Sequence, residues 1–465
     1  MLRFFKKYYP IRNIFFVFGE GVFIFISVLI AVLIIFGPVS FVLDDWLLLK
    51  ILLITLVCQA CLYYNDLYDL QTTDSFNELG IRLLQALGFA AILLAFIYMI
   101  FPQVIIATGT FIVSICFVIL LIVSWRFLYS IILKHGMFNQ KIVLLGSGQV
   151  TMDIKQEIIG RKDCGYTLAL EIPESIDDVD LVNPGDIPLI CKNKFEGLKE
   201  MVQVLDIEKV VVGFKEKRHI FPTRELLKCR VEGIDIIDGN DFYENLTGKL
   251  TVEALNPSWL IFARGFHKSR PRRFLKRSID LILSFIMLLF CLPLITITAI
   301  FIKLDSRGSV FFSQERVGEK GKIYRIHKFR SMIDEAEKHS GPVWARNDDD
   351  RVTRVGRIIR RWRIDELPQL WNVLKGEMSF VGPRPEREFF VKKLEEMIPY
   401  YSVRFTVKPG ITGWAQVCYG YGASVDDAVE KLNYDLFYIK NMAMLMDLMI
   451  VLRTIKIVLF STGAR

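Results

Sequence analysis

Residues 264–303 read RGFHKSRPRRFLKRSIDLILSFIMLLFCLPLITITAIFIK, and how this stretch meets a bilayer decides the fold. Its apolar part, 279–302, is long enough to cross, since a hydrocarbon core takes about 20 helical residues. Both flanks are basic, however: the run 264–277 precedes it, and Lys303, Arg307 and Arg316 follow. Basic residues collect on the cytoplasmic side, so like-charged flanks oppose a crossing. Pro293 lies near the middle, where it removes a backbone hydrogen bond and kinks a helix. The expectation is a re-entrant helix over 279–304 that bends near Cys291-Leu292-Pro293 and returns to the cytoplasmic face. A plain kinked spanning helix is the alternative. The basic run would also suit nucleic acid, but its position against a membrane segment argues for no nucleic-acid partner.

Upstream, the chain of 465 residues is too long for one ordinary core. Apolar residues make up 52% of it and crowd into the first third. Four runs, 14–36, 46–64, 83–101 and 104–124, can each span a bilayer. Lys50 lies near enough to the end of its run to snorkel outward. Arg3, Lys6, Lys7 and Arg12 precede the bundle and Arg126 and Lys134 follow it, whereas Asp44 and Asp45 mark the first short loop. Both ends of the bundle therefore face the cytoplasm. No small-residue cleavage site follows the first run, which disfavours a removable signal peptide. The eight cysteines are scattered; only Cys58 and Cys61 are close, with no second pair to make a zinc site. A reduced, cytoplasm-facing protein fits this usage. The net charge of +8 suits an anionic membrane surface or a phosphorylated substrate, and equally cytoplasmic loops.

After His135 the texture turns globular. Gln140–Leu145 reads as a buried strand, and Gly146-Ser-Gly148 follows at once, as in a Rossmann-like first turn. Further strands are expected at Tyr166–Ile172 and 209–213. Gly146 and Gly148 are weak nucleotide-binding candidates, because the full fingerprint wants a third Gly where Thr151 stands. Any tight strand-to-helix turn would use them equally. No Tyr-x-x-x-Lys pair appears in this region, which argues against a dehydrogenase or epimerase site there.

Downstream, the centre is RRWRIDELPQLWN, 360–372. Leu367, Leu370, Trp371 and Leu374 are spaced for one helix face, with Gly376 as the stop. Asp365 is expected at the N-cap and Glu366 in the first turn, Pro368 being tolerated that early. Two adjacent carboxylates repel, so both stay charged only beside cations. Arg360, Arg361 and Arg363 supply some, and a divalent ion would supply the rest. Successive helical side chains diverge by about 100°, so one carboxylate can attack while the other holds metal. The last apolar stretch, 441–460, is interrupted by Asp447, Arg453 and Lys456, so a surface-lying or core-packed helix is expected there.

Several strings in register resemble the polyprenyl-phosphate glycosylphosphotransferases, bacterial sugar transferases that start glycan assembly. They are QERVG (314–318), KFRSM (328–332), DELPQ (365–369), NVLKG (372–376), MSFVGPRPE (378–386), KPGITGWAQ (408–416), and YD (434–435) before YIKN (438–441). YGAS at 421–424 and the Gly-Ala-Arg ending look like the exopolysaccharide-type branch. The resemblance implies that Asp365 attacks the β-phosphate of a UDP-sugar, expels UMP and carries the phospho-sugar until undecaprenyl phosphate takes it. It implies Glu366 as the Mg²⁺-binding acid, and Arg360, Lys328, Arg330 and Arg384 near the substrate phosphates. Lys408 and Asp435 are weaker carry-overs, and Pro293 matches the bend of the family's re-entrant helix. Many relatives have Ser before that proline, whereas Leu292 stands here, which puts the local hydrogen bonding in question.

The expected architecture is thus a membrane α-helical bundle of four spans (1–138), a Rossmann-like α/β domain (139–255), a basic linker (256–278), a re-entrant membrane helix (279–304) and an α/β catalytic domain (305–465). The expected protein is multi-pass in the bacterial inner membrane, with its site on the cytoplasmic face. It would be a hexose-1-phosphate transferase opening exopolysaccharide synthesis. A membrane-anchored nucleotide-sugar dehydratase and a non-catalytic scaffold are the other classes weighed. Glucose or galactose is the expected sugar by analogy, and a homodimer is left open.

Overall fold

The computed structural model describes all residues except 1, 5–6, 10, 38–44, 69–75, 107–108, 135–138, 162–163, 174–194, 196, 215–220, 255–262, 264, 267, 334–349, 421, 423 and 461–465. The Gly-Ala-Arg ending and part of the 421–424 string lie outside the described residues. The chain forms two compact units, Met1–Phe4 with Tyr8–Phe242, and Phe5–Lys7 with Tyr243–Arg465.

In the first unit, four long apolar helices, α1 (Ile11–Phe36), α2 (Leu47–Tyr64), α3 (Phe76–Ile100) and α4 (Thr110–Lys134), are each able to cross a membrane. The fourth begins and ends later than the run 104–124 suggests, and the shift has a consequence. Arg126, read as a flanking charge, is buried in the bundle. Its Nε donates to Oε1 of the sealed Glu20 at 2.8 Å, and its Nη1 donates to the Leu67 carbonyl at 2.8 Å. Small residues allow the helices to come this close: a Cβ on Gly19 would stand 2.6 Å from the Trp125 ring, and one on Gly21 2.5 Å from the Gln59 amide.

The α/β part carries β1 (Gln140–Leu145), α5 (Gln149–Gly160), β2 (Tyr166–Ile172), α6 (Leu198–Val204), β3 (Lys209–Val212), α7 (Thr223–Val231), β4 (Asp235–Asp238) and α8 (Gly239–Thr247). The strands form one parallel sheet in the order β2-β1-β3-β4, with Leu145 aligned to both Ile172 and Val212. Central β1 is sealed from Ile142 to Leu145, as a strand covered on both faces must be. Edge strand β4 (DIID) is half-buried along its length. With an aspartate at each end and only two apolar residues between, it is too short to stand out in a reading based on apolar runs.

The second unit starts inside α8, so residues 243–254, grouped with the α/β domain by sequence, pack elsewhere. Trp414 Nε1 donates to the Gly248 carbonyl at 2.8 Å, and Val252 N donates to Asn433 Oδ1 at 2.9 Å. Leu250 and Val252 join a core with Leu370, Phe380, Trp414, Leu436 and Tyr438. The unit's long helix α9 spans Arg270–Asp305. Then come an antiparallel hairpin, β5 (Phe311–Val317) and β6 (Ile323–Phe329), and helices α10 (Arg354–Arg361) and α11 (Gln369–Lys375). Next are β7 (Ser379–Val381), α12 (Glu388–Met397), β8 (Gly410–Thr412) parallel to β7, α13 (Trp414–Cys418), α14 (Val425–Asn441) and α15 (Met444–Phe460). Helices dominate this unit, with two small two-stranded sheets.

Helix α9 continues without a break through Pro293. Laid out straight, 36 residues would extend about 54 Å, yet both arms engage the same unit. On the first arm, Arg277 donates to the Val373 and Leu374 carbonyls at 2.6 and 2.9 Å, capping α11, and Asp280 accepts from Ser379 Oγ at 2.7 Å. On the second, Ile295, Ala299 and Ile302 pack with Phe329 and Ile359, and Asp305 Oδ2 accepts from Val355 N at 3.0 Å. The middle is bare and apolar, with Phe290 80% exposed. One turn past Leu292, Thr296 Oγ1 donates to the Leu292 carbonyl at 2.9 Å, which supplies a local polar contact beside the proline. In α15, Asp447 accepts from Lys276 Nζ and Tyr438 Oη, each at 2.8 Å. That charge tethers the helix to its unit, and Met446 and Ile450 pack into the core.

Candidate active site

The turn between α10 and α11 carries the adjacent carboxylates. Arg363 takes a left-handed conformation (φ +55°) and turns the chain into a single 3₁₀ turn, Ile364–Glu366. Pro368 is the N-cap of α11, so Asp365 is not the N-cap expected from sequence. The reason is local: a cap at 365 would have residue 368 as its N3 donor, and proline has no N–H to give. Gly376 ends the helix at φ +90° as expected. The buried face also differs from the spacing argument. Leu370 and Val373 are inside together with Gln369 and Asn372, while Trp371 is 51% exposed. Asn372 accounts for the rotation. Its Oδ1 accepts from His327 N at 3.0 Å, and its Nδ2 donates to the Arg325 carbonyl and to Glu377 Oε2, each at 2.7 Å. A sealed amide with these partners outweighs the burial of one more indole face.

By stapling β6, Asn372 sets the next residue of that strand against the acid pair. Lys328 Nζ and Arg384 Nη2 both donate to Glu366 Oε1, each at 2.9 Å. Asp365 and Glu366 are themselves buried. Among the described residues no hydrogen bond or ion pair engages the Asp365 carboxylate. Arg360 stands close enough for its charge to act on Asp365, with its Nε donating to Ser331 Oγ at 2.8 Å.

This arrangement splits the two acids. Burial pushes the Asp365 carboxyl above the usual carboxylate range, and the neighbouring Glu366 charge pushes it the same way; Lys328, Arg360 and Arg363 oppose them. Burial would raise Glu366 too, but Arg384, Lys328 and Arg363 outweigh it and hold that carboxyl well below the usual range. Burial lowers the Lys328 ammonium despite Glu366. Glu366 is thus the fixed anion and Asp365 the acid with an unclaimed carboxylate.

The other expected residues are distributed differently. Arg330 faces the end of α9, where its Nη1 donates to the Arg307 carbonyl and its Nη2 to the Ser306 carbonyl and hydroxyl, at 2.8–2.9 Å. Lys408 lies beside Arg277 and Asp280, and burial lowers its ammonium, with Arg277 adding to the effect. Asp435 is sealed and accepts from Arg404 Nη2 at 2.9 Å. Burial pushes its carboxyl up to about 6 against the pull of Arg404. Arg404 was missed from sequence: it sits in an irregular 3₁₀ stretch, Tyr401–Thr406, where no periodicity marks it. Among the described residues no group of three or more His, Cys, Asp or Glu side chains could hold a metal. Hard carboxylate oxygens do suit Mg²⁺, which commonly uses one or two carboxylates together with substrate phosphates and waters.

In the first unit, Gly146 (φ +109°) and Gly148, the N-cap of α5, form the expected turn. Packing explains Gly146. A Cβ on Gly146 would lie 2.8 Å from the Gly213 carbonyl oxygen, and one on Gly213 2.2 Å from Thr151 Oγ1. Thr151, in place of the third glycine, is itself buried, its hydroxyl donating to the Gly213 carbonyl at 3.3 Å.

The second unit thus sets Asp365 and Glu366 beside Lys328 and Arg384, in a unit whose long helix α9 is apolar enough to cross a membrane. Residues 271–461 match the family described as bacterial sugar transferase. The chain is 43% identical over 242 residues to a UDP-N-acetylgalactosamine-undecaprenyl-phosphate N-acetylgalactosaminephosphotransferase of Aeromonas hydrophila, covering 52% of this chain and 56% of the relative. It is 40% identical over 193 residues to a UDP-glucose:undecaprenyl-phosphate glucose-1-phosphate transferase of Caulobacter vibrioides, covering 41% and 71%. An undecaprenyl-phosphate galactose phosphotransferase of Salmonella typhimurium is 27% identical over 372 residues, covering 75% and 74%. The chain belongs to the bacterial sugar transferase family. The match spans little more than half the length of the Aeromonas relative.

Proposed function

We propose that this protein transfers a hexose-1-phosphate from a UDP-sugar to undecaprenyl phosphate, releasing UMP, as the first membrane step of exopolysaccharide synthesis. The observation that carries the reading is the asymmetry of the acid pair: Glu366 is held by Lys328 and Arg384, and Asp365 is left unclaimed beside them. A carboxylate oxygen of Asp365 attacks the β-phosphorus, the bond from that phosphorus to the bridging oxygen breaks, and UMP leaves with the electron pair. A phosphate oxygen of the lipid then attacks the same phosphorus and expels the carboxylate, restoring the enzyme. Two displacements at one phosphorus, passing through one carboxylate, divide a transfer between a soluble donor and a lipid acceptor into simpler steps. Lys328 and Arg384, with Arg360, neutralise the oxygens of the transferring group, where most of the catalytic benefit in phosphoryl transfer arises. Mg²⁺, when bound at Glu366, would supply further charge neutralisation on the phosphates.

The same reading places 279–304 as a re-entrant helix that dips into the inner membrane from the cytoplasmic face. Two arms docked on one unit and a bare apolar middle around Phe290 support it. The acceptor's head group would then meet Asp365 at the bilayer surface. Membranes containing the protein, given radiolabelled UDP-glucose, UDP-galactose and UDP-N-acetylgalactosamine with undecaprenyl phosphate, test this. Expected are labelled lipid, UMP as co-product and, without acceptor, label on the protein that Asp365→Asn abolishes. Release of UDP would replace the proposal with a simple glycosyl transfer.

A further inference from the structure

Arg404 touches neither Asp365 nor Glu366, yet it is 7% exposed and its guanidinium is committed in three directions. Nη2 donates to the backbone carbonyl of Arg384 at 3.0 Å and to Asp435 Oδ2 at 2.9 Å, and Nη1 donates to the Tyr401 hydroxyl. The guanidinium carbon also lies 5.0 Å from the centre of the Tyr401 ring. We propose that Arg404, oriented by Asp435 and Tyr401, is the positioning residue for Arg384, and that Asp435 acts through it rather than on substrate.

The argument starts from the segment that presents Arg384. Each carbonyl from 383 to 386 is held by another part of the unit. Gly410 N donates to Pro383 at 2.9 Å, Arg404 to Arg384, Arg316 Nη1 to Pro385 at 3.2 Å, and Val317 N to Glu386 at 3.0 Å. Pro383 and Pro385 restrict the backbone on either side of Arg384. A long side chain is aimed by where its backbone sits, and only a fixed backbone keeps the Arg384 guanidinium 2.9 Å from Glu366. The planar fork of arginine can serve a carbonyl, a carboxylate and a hydroxyl together, which a lysine ammonium on a flexible stem reproduces poorly. A Lys at this position keeps the charge and loses the aim.

This inference rests on Arg384 serving the proposed phosphoryl transfer, so the experiment separates the two. Full-length Arg404→Lys, Asp435→Asn and Tyr401→Phe are assayed for kcat, KM for the UDP-sugar and Tm, in the wild-type and Arg384→Ala backgrounds, with Asp365→Asn alongside. In the wild-type background Arg404→Lys and Asp435→Asn are expected to lower kcat/KM by about 10- to 100-fold, as loss of supporting partners does at other sites. In the Arg384→Ala background the same substitutions should cost little more. Tyr401→Phe removes one hydroxyl and should show a smaller loss that likewise vanishes without the Arg384 side chain; it decides the matter if the others fail to fold. Losses that multiply in the double variants, or single variants at wild-type kcat/KM, overturn the role of Arg404. Undiminished transfer by Asp365→Asn instead removes the proposed chemistry.

Discussion

Glu20 and Glu366 are both sealed carboxylates answered by arginine, and they differ in what is left over. In the helical bundle, Arg126 Nε and Nη2 both meet Glu20 Oε1, at 2.8 and 2.7 Å, and its Nη1 goes to the Leu67 carbonyl. One anion meets one cation at a single oxygen, and Glu20 Oε2 is buried with no hydrogen-bond partner among the described residues. At Glu366 two cations crowd one oxygen and Arg363 adds its charge, while among the described residues no hydrogen bond or ion pair engages the adjacent Asp365 carboxylate, on which Arg360 also acts. A balanced pair suits a role in holding helices together. A surplus of cations around an unengaged acid suits an anionic visitor.

Substitutions that break one cluster and spare the other sharpen this contrast. The largest effect is expected at Asp365. Asp365→Asn should lower transfer by about 10⁴-fold or more, the scale seen when a covalent nucleophile is removed, with Tm unchanged or higher. The sign follows from the raised carboxyl: a group harder to ionise in the folded state than in the unfolded one subtracts stability at neutral pH. Next comes the bundle. Arg126→Leu strands Glu20 and should cost about 3–5 kcal/mol, whereas the double variant Glu20→Leu/Arg126→Leu should recover much of it; thermal unfolding in a bilayer mimetic checks both. Arg330→Gln is expected to cost about 1.5–3 kcal/mol, the worth of hydrogen bonds to a charged group, with KM for the donor unchanged because that guanidinium faces Ser306 and Arg307. The smallest effect is on pH dependence. In the proposed reaction Asp365 attacks in its ionised form, so kcat/KM should fall on acidification at a pH above the ordinary aspartate value of about 3.9. Glu366, held low by Arg384 and Lys328, should stay charged throughout that range.

How much of the site was legible depends on how local each relationship is. The strings around Asp365, Glu366, Lys328 and Arg384 pointed to one chemistry, and the fold brings these four side chains together. The helix spacing failed at Trp371, because Asn372 is needed inside to hold β6. Gly146 and Gly148 formed the expected turn, but the space beside Gly146 is filled by the backbone of Gly213 and Phe214.

Sequence alone determined the apolar runs, the buried strand Gln140–Leu145 and the adjacency of two acids, because each depends on composition and short-range periodicity. Tertiary structure decided that Arg126 lies inside the bundle, that Arg330 faces the end of α9, and that Arg404 stands behind Arg384. These assignments depend on which long cationic side chain reaches which distant carbonyl or carboxylate. That is fixed only when segments far apart in the chain are packed together and each buried charge takes the partner within its reach.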